Sequence, residues 1–88
     1  MNKSYKITIY TSDKCTFCHA AKEIFKEKKL QFEEINISKD DKLKNEMIKK
    51  SNGMITVPQI FVNSKHIGGF QELSDLTDSK KMNEIISK

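Results

Sequence analysis

Hydrophobic and polar residues alternate in some stretches of this chain and recur at helical spacing in others. Residues 5–10 are β-branched and aromatic, which is typical of a strand, and residues 30–37 alternate apolar and polar positions towards their end. Between them, residues 16–29 carry apolar side chains at three- and four-residue steps, which predicts an amphipathic helix. Strand, helix and strand in this order predict a right-handed parallel βαβ unit.

The second half of the chain predicts a helix, a hairpin and further helical segments, over residues 38–50, 59–67, 70–77 and 79–87. Ser38 is the expected cap of the first of these helices. Asn63-Ser64 is a hairpin signal between two short apolar runs. The sequence has no repeat and no linker, so we expect residues 1–88 to form one domain.

The only two cysteines, Cys15 and Cys18, lie where the first strand meets the first helix. Ser12 or Asp13 is expected to cap that helix. A helix N-terminus lowers the pKa of a thiol from ~8.5 into a range of about 3.5–7.5, and Lys14 could add to this. Cys18 falls on the apolar stripe of the helix, whereas Cys15 lies in its first turn on the exposed side. The pattern predicts that Cys15 attacks a disulfide and that Cys18 resolves the mixed disulfide.

Two other uses of cysteine compete with this interpretation. Zinc normally takes four ligands, and His19 and His66 are the only other strong candidates in the sequence. The stretch from Cys15 to His19 also matches C-x-x-C-H, the haem attachment pattern. Haem attachment would require an export signal and a second axial ligand, and it would not fit a βαβ unit. A redox dithiol is therefore favoured, and no metal site is expected.

Composition and charge limit the partners and the cellular compartment that we expect for this protein. The formal net charge is +4, and the sixteen basic residues are all lysine. A charge this small, spread over the whole chain, favours a solvated surface over a nucleic-acid interface. No apolar run approaches the length of a membrane span, and the N-terminus leads into a strand without a signal-peptide pattern. We therefore expect a cytoplasmic protein without nucleic-acid or membrane partners, in which the cysteines are catalytic.

Two further motifs indicate where a substrate could lie. Pro58 keeps Val57 extended with its backbone groups free, so a peptide-like substrate could pair with Val57 as an added strand. The proline alone favours an ordinary trans bond. Gly68-Gly69 leads into a helix start whose free N–H groups suit a carboxylate, and a plain tight turn explains the glycine pair equally well.

Taken together, these three motifs resemble the glutaredoxin family. Residues 56–63, Thr-Val-Pro-Gln-Ile-Phe-Val-Asn, and residues 66–70, His-Ile-Gly-Gly-Phe, are similar to that family's second half, and the Cys-x-x-Cys motif stands near the N-terminus. The resemblance implies an α/β, thioredoxin-like fold with a four-stranded mixed β-sheet flanked by α-helices. It also implies an oxidoreductase that uses glutathione as its reductant to reduce protein disulfides and glutathione mixed disulfides.

The same resemblance implies the roles of the site residues. Cys15 would match the nucleophile and Cys18 the resolving thiol, and Pro58 would be the family's cis proline. The residues expected to bind glutathione are Lys14, Phe17, Thr56, Val57, Pro58, Gly69, Phe70, Gln71 and Glu72. Val57 would pair its backbone with the cysteinyl part, and residues 70–72 would receive the γ-glutamyl end. The expected partners of this monomer are glutathione and disulfide-bonded or glutathionylated proteins.

The chain departs from the family's commonest pattern at three places. Thr16-Phe17 stands between the cysteines, where Pro-Tyr is usual. Ser12 stands where a basic residue is frequent, and Lys14 could take its place. Glu72 stands where an aspartate is usual, and its side chain is one methylene longer.

Two alternatives stay open beside the glutathione-dependent enzyme. One is a glutaredoxin-like protein that is reduced by thioredoxin reductase. The other is a binding module in which Cys15 and glutathione hold an iron–sulfur cluster between two chains.

Overall fold

The computed structural model describes residues 5–79 and 81. Its elements, in chain order, are β1 (Ile7–Thr11), α1 (Thr16–Glu27), β2 (Glu33–Asn36), α2 (Asp41–Lys50), β3 (Gln59–Val62), β4 (Lys65–Gly68) and α3 (Phe70–Asp78). A short 3-10 turn at Ile37–Lys39 joins β2 to α2. No helix in this part of the chain has the length and apolarity that crossing a bilayer requires.

The four strands form one mixed sheet in the order β2-β1-β3-β4. β1 pairs in parallel with β2 and antiparallel with β3, and β3 pairs antiparallel with β4. The predicted βαβ unit is therefore β1–α1–β2. The predicted hairpin is β3–β4, and its turn residues Asn63 and Ser64 both have the positive φ that a tight hairpin turn of this kind requires. The prediction of a four-stranded mixed sheet flanked by helices is confirmed.

Helices pack on both faces of this sheet, because alternate side chains of each strand point to opposite sides. On one face, α1 and α3 bury Phe25 and Leu73 in a cluster with Ile9. On the other face, α2 buries Met47 in a second cluster that contains Tyr10. The β1 strand lies inside the sheet and supplies side chains to both clusters, which fixes the end of this strand from two sides.

Some element boundaries differ from the predicted ones. β2 begins at Glu33, later than predicted, and Leu30 still contacts the end of α1, where its N–H donates to the Phe25 carbonyl at 2.9 Å. Asp40 caps α2 by accepting from the Lys42 N–H at 2.8 Å, so the predicted cap at Ser38 is wrong. The helix predicted over residues 79–87 lies outside the described residues except at 79 and 81.

The buried ring of Phe25 provides a test of this packing. Phe25→Ala removes the ring and leaves a cavity, so we expect the free energy of unfolding to fall by about 3–5 kcal/mol in urea titrations. Phe17→Ala is the matched control, because the Phe17 side chain is 60% exposed. It should change stability by about 1 kcal/mol or less. Equal stability of the two variants would contradict the placement of Phe25 in the core.

Candidate active site

Cys15 is the N-cap residue of α1. Its backbone is extended, and its sulfur accepts a hydrogen bond from the Cys18 N–H at 3.1 Å. The prediction that Ser12 or Asp13 caps this helix is wrong, because the helix begins directly after Cys15 and the sulfur itself reaches the free N–H group. A donor at this position also stabilises a thiolate when the sulfur is reduced.

The two cysteines form a disulfide, and their Cα atoms are 5.2 Å apart. Cys18 is 2% exposed, as predicted from its place on the apolar stripe, whereas Cys15 is half-buried. A molecule that approaches from solvent therefore meets the Cys15 sulfur first. The assignment of Cys15 as the nucleophile and Cys18 as the resolving thiol agrees with this asymmetry and stays a prediction.

A groove of about 250 Å³ opens next to Phe17, which stands between the two cysteines in the chain. It is bordered by the Cys-x-x-Cys turn, the loop before β3 and the start of α3. Its lining residues are Phe17, Thr56, Val57, Pro58, Gly69, Phe70, Gln71 and Glu72. These are eight of the nine residues predicted to bind glutathione, whereas Lys14 is exposed and lies outside the lining. The fold thus brings together residues from distant parts of the sequence, and their role in binding stays a prediction.

The loop before β3 places backbone groups next to the disulfide. The Val57–Pro58 bond is cis, as the family resemblance implied and unlike the trans form that proline alone favours. The Val57 carbonyl oxygen lies 3.7 Å from the Cys15 sulfur. The backbone of Val57 therefore lies beside both the sulfur and the groove, where an extended peptide-like ligand could pair with it.

The glycine pair lets the start of α3 approach this loop. A Cβ atom at Gly69 would lie 3.2 Å from the Pro58 carbonyl oxygen, tighter than an ordinary contact. Gly68 has φ 128, a conformation that L side chains rarely adopt. The Gly69 N–H donates to Glu72 Oε1 at 2.8 Å, which places the Glu72 carboxylate at the helix start.

Phe17 and Phe70 form an aromatic wall on one side of the groove. Their ring centroids are 5.5 Å apart and the rings are tilted by 31°. Phe17 remains largely exposed in spite of this contact, so its free face is available to a ligand.

Comparison with known proteins decides the family. The sequence model described as Glutaredoxin matches residues 7–67. The chain belongs to the glutaredoxin family. It is 38% identical over 89 aligned positions to Glutaredoxin 1 of Rickettsia conorii, covering 98% of this chain and 87% of that protein. The solved glutaredoxin of Brucella melitensis is similar with a TM-score of 0.80 and 36% identity, over 92% of this chain and 87% of that one. A buckwheat glutaredoxin–glutathione complex has a TM-score of 0.84 at 20% identity, over 97% and 79% of the two chains.

Glutaredoxin relatives confirm the thioredoxin-like fold expected from the sequence. Membership in the family, together with the Cys15–Cys18 dithiol, supports thiol–disulfide oxidoreductase activity. In residues 5–79 and 81, no group of three or more His, Cys, Asp or Glu side chains is placed to hold a metal ion. His19 lies 3.9 Å from Glu23, and His66 Nε2 lies 2.7 Å from Gln59 Oε1.

The loop before Cys15 is held by contacts that the sequence did not predict. The Asp13 N–H donates to the Ser38 hydroxyl at 3.0 Å, and the Asn36 side-chain amide donates to the Asp13 carboxylate at 2.8 Å. The Asn36 side-chain oxygen accepts from the Ser38 N–H at 2.8 Å. No local pattern signals the two contacts of Asp13, because they join segments that become neighbours only when β1 pairs with β2. In this glutaredoxin-family chain the β2–α2 connection therefore fixes the active-site loop.

A second missed contact lies at the end of β1. The buried Thr11 hydroxyl donates to Glu34 Oε2 at 2.7 Å, and Lys22 Nζ lies 3.0 Å from the same oxygen. The hydrogen bond from Thr11 is the main reason that the pKa of the Glu34 carboxyl is lowered; Lys22 lowers it further, and burial opposes the shift. These contacts tie β1 to β2 and α1 just before the loop that leads to Cys15.

Thr11→Val removes that hydroxyl, so we expect the pKa of Glu34 to rise towards its ordinary value. A carboxyl whose pKa is lower in the folded state stabilises the fold above its unfolded pKa, and this contribution is lost as the pH falls through the folded pKa. The variant should therefore be less stable at neutral pH, and Glu34 should contribute less to its loss of stability in acid. Carbon-13 NMR titration of the Glu34 carboxyl and urea unfolding at neutral and acidic pH measure both effects. Thr11→Ser keeps the hydroxyl and serves as the control; an unchanged Glu34 titration in Thr11→Val would refute this cause.

Proposed function

We propose that this chain is a dithiol glutaredoxin that uses glutathione to reduce protein disulfides and glutathione mixed disulfides. The observation that carries the proposal is that Val57 lines the groove while its carbonyl oxygen lies 3.7 Å from the Cys15 sulfur. A tripeptide thiol that pairs with Val57 would therefore hold its own sulfur next to Cys15. The buckwheat glutaredoxin, which shares the fold, was solved as a complex with glutathione, and this supports the choice of ligand.

The chemistry of the groove suits the parts of glutathione. The backbone of Val57 can pair with the cysteinyl part, and the exposed face of Phe17 offers an apolar contact to it. At the start of α3, free N–H groups suit the carboxylate of the γ-glutamyl end. Glu72 offers a carboxylate to the neighbouring ammonium group. Lys14 stays in the proposed set as an exposed cation next to Cys15.

With a glutathionylated protein, we propose that Cys15 acts alone. Its thiolate attacks the glutathione sulfur, the bond from that sulfur to the protein breaks, and the protein leaves as a thiolate that takes up a proton. The Cys15 sulfur is then bonded to glutathione. A second glutathione thiolate attacks the bound glutathione sulfur, so that glutathione disulfide leaves and Cys15 returns to its thiolate form.

With a protein disulfide, both cysteines take part. The Cys15 thiolate attacks one sulfur of the substrate, and the other sulfur leaves as a thiolate and is protonated. Cys18 then displaces the bound sulfur and forms the Cys15–Cys18 disulfide seen in the structure. Two glutathione molecules supply the two electrons that reopen this disulfide, and they leave as glutathione disulfide.

The proposed setting is the reducing cytoplasm, where the chain would act as a monomeric single domain. Both of its cysteines belong to the redox motif, so none forms a separate structural disulfide of the kind common in oxidising compartments. The proposed partners are glutathione and disulfide-bonded or glutathionylated proteins.

A coupled assay with glutathione, glutathione reductase, NADPH and a small glutathione mixed disulfide tests the proposal. We expect NADPH consumption in proportion to the amount of protein. Reduction by thioredoxin reductase but not by glutathione would overturn the glutathione dependence. Brown protein with visible absorbance after anaerobic purification, without turnover in this assay, would favour an iron–sulfur binding module.

Serine substitutions separate the roles of the two sulfurs. Cys15→Ser removes the nucleophile and should lower deglutathionylation by about a thousandfold or more. Cys18→Ser, the matched variant, should keep deglutathionylation within a few-fold and lose the reduction of protein disulfides. Rates with a glutathionylated peptide and with a disulfide-bonded protein measure this difference. Loss of deglutathionylation in both variants would contradict the assignment.

A further inference from the structure

Gln59 is a polar residue at the start of a buried apolar strand. It is 1% exposed, and a buried amide is destabilising unless its groups are hydrogen-bonded. Both ends of this amide are engaged. Gln59 Nε2 donates to the Thr56 carbonyl oxygen at 3.0 Å and to Thr56 Oγ1 at 3.1 Å, and Gln59 Oε1 lies 2.7 Å from His66 Nε2. One buried side chain therefore connects β4 to the loop that lines the groove.

The contacts of Gln59 determine how its amide is oriented. The Thr56 carbonyl oxygen can only accept, so the NH₂ end of the amide faces Thr56 and Oε1 faces His66. His66 Nε2 must then carry a proton and donate it to Gln59 Oε1. The His66 ring is held in turn by Phe61, which lies opposite it in the β3–β4 pairing with ring centroids 5.0 Å apart. Thr56 thus sets the direction of the Gln59 donor, and His66, held by the sheet, supports it from the other end of the amide.

Gln59 Nε2 donates to the backbone carbonyl of Thr56, a residue that lines the groove. The Thr56 C=O and the Val57 N–H belong to one planar trans peptide unit, so they point in opposite directions. When Gln59 holds the carbonyl oxygen, the Val57 N–H is directed away from Gln59. Val57 lines the groove, and its backbone is the part of the chain proposed to pair with the cysteinyl residue of glutathione.

We infer that Gln59 is a positioning residue for glutathione, with His66 as its support; the inference rests on the function proposed above. Gln59 does not line the groove and acts through Thr56, whose carbonyl oxygen and Oγ1 both accept from Gln59 Nε2. A peptide unit that is held in place before the ligand arrives loses less conformational freedom on binding. The contribution of Gln59 therefore lies in affinity for the peptide part of the substrate and not in the reactivity of the Cys15 sulfur.

Binding of S-methylglutathione isolates this contribution, because this peptide has no thiol to exchange. Gln59→Met removes both ends of the amide at similar volume, and NMR titration should show a dissociation constant raised by about three- to tenfold, as expected for one hydrogen bond. His66→Phe keeps a ring against Phe61 but removes the donor to Gln59 Oε1 while the bonds from Gln59 to Thr56 remain, and should give a smaller rise. Gln31→Met, at an exposed glutamine outside the groove, is the matched control and should bind like the natural chain.

Steady-state kinetics distinguish positioning from a general structural role. For a glutathione mixed disulfide, Gln59→Met should raise KM by the same factor and leave kcat within about twofold. A fall in kcat with an unchanged KM would show that Gln59 supports the fold or the sulfur, and would overturn the inference.

The outcomes also separate the inference from the proposed function. If the natural chain binds S-methylglutathione and Gln59→Met binds it equally well, the inference is wrong and the proposed function stands. If the natural chain does not bind it, the proposed function is wrong and the inference falls with it. If Gln59→Met does not fold, His66→Phe decides, because an affinity equal to that of the natural chain would overturn the inference.

Discussion

The antiparallel pairing of β1 with β3 is the constraint on which the active site depends. Its register places Tyr10 opposite Gln59, so the end of β1 that leads to Cys15 lies beside the beginning of β3. Two segments that are 42 residues apart in the chain thereby meet, and the Val57 carbonyl oxygen reaches 3.7 Å from the Cys15 sulfur. Because β2 pairs in parallel with β1, the chain must cross over between them, and α1 forms this crossover. The helix therefore begins at the carboxyl-terminal end of β1. The pairing of β1 with β3 therefore determines where the Cys15 sulfur, the start of α1 and the groove lie.

The difference between the two sulfurs follows from the helix that carries them. Cys15 precedes the first turn and meets a free N–H group, whereas Cys18 lies one turn further on and faces the core. The loop in front of them is held from outside the helix by Asn36 and Ser38. Chemistry at the half-buried Cys15 sulfur can therefore proceed on a fixed loop, with the Cys18 sulfur held within bonding distance.

Periodicity was sufficient to predict the four strands, the helices α1 to α3 and the burial of Cys18, because these depend on local spacing. The family resemblance then located the groove, since its motifs mark residues such as Thr56 and Phe70 that only the fold brings together. Contacts between distant loops had no local signal, which is why the Asp13–Asn36 bond was missed. The special position of Gln59 was visible in the sequence, because it is a polar residue at the start of an otherwise apolar strand. Its hydrogen-bond partners could be identified only from the structure.

Alkylation of the reduced protein tests most directly whether one sulfur is reactive and the other sheltered. The protein is treated with limiting iodoacetamide at neutral pH, and the modified peptides are quantified over time by mass spectrometry. We expect Cys15 to be modified at least about tenfold faster than Cys18 and faster than an ordinary free thiol. Equal rates at the two cysteines, or faster modification of Cys18, would contradict the roles that the structure supports.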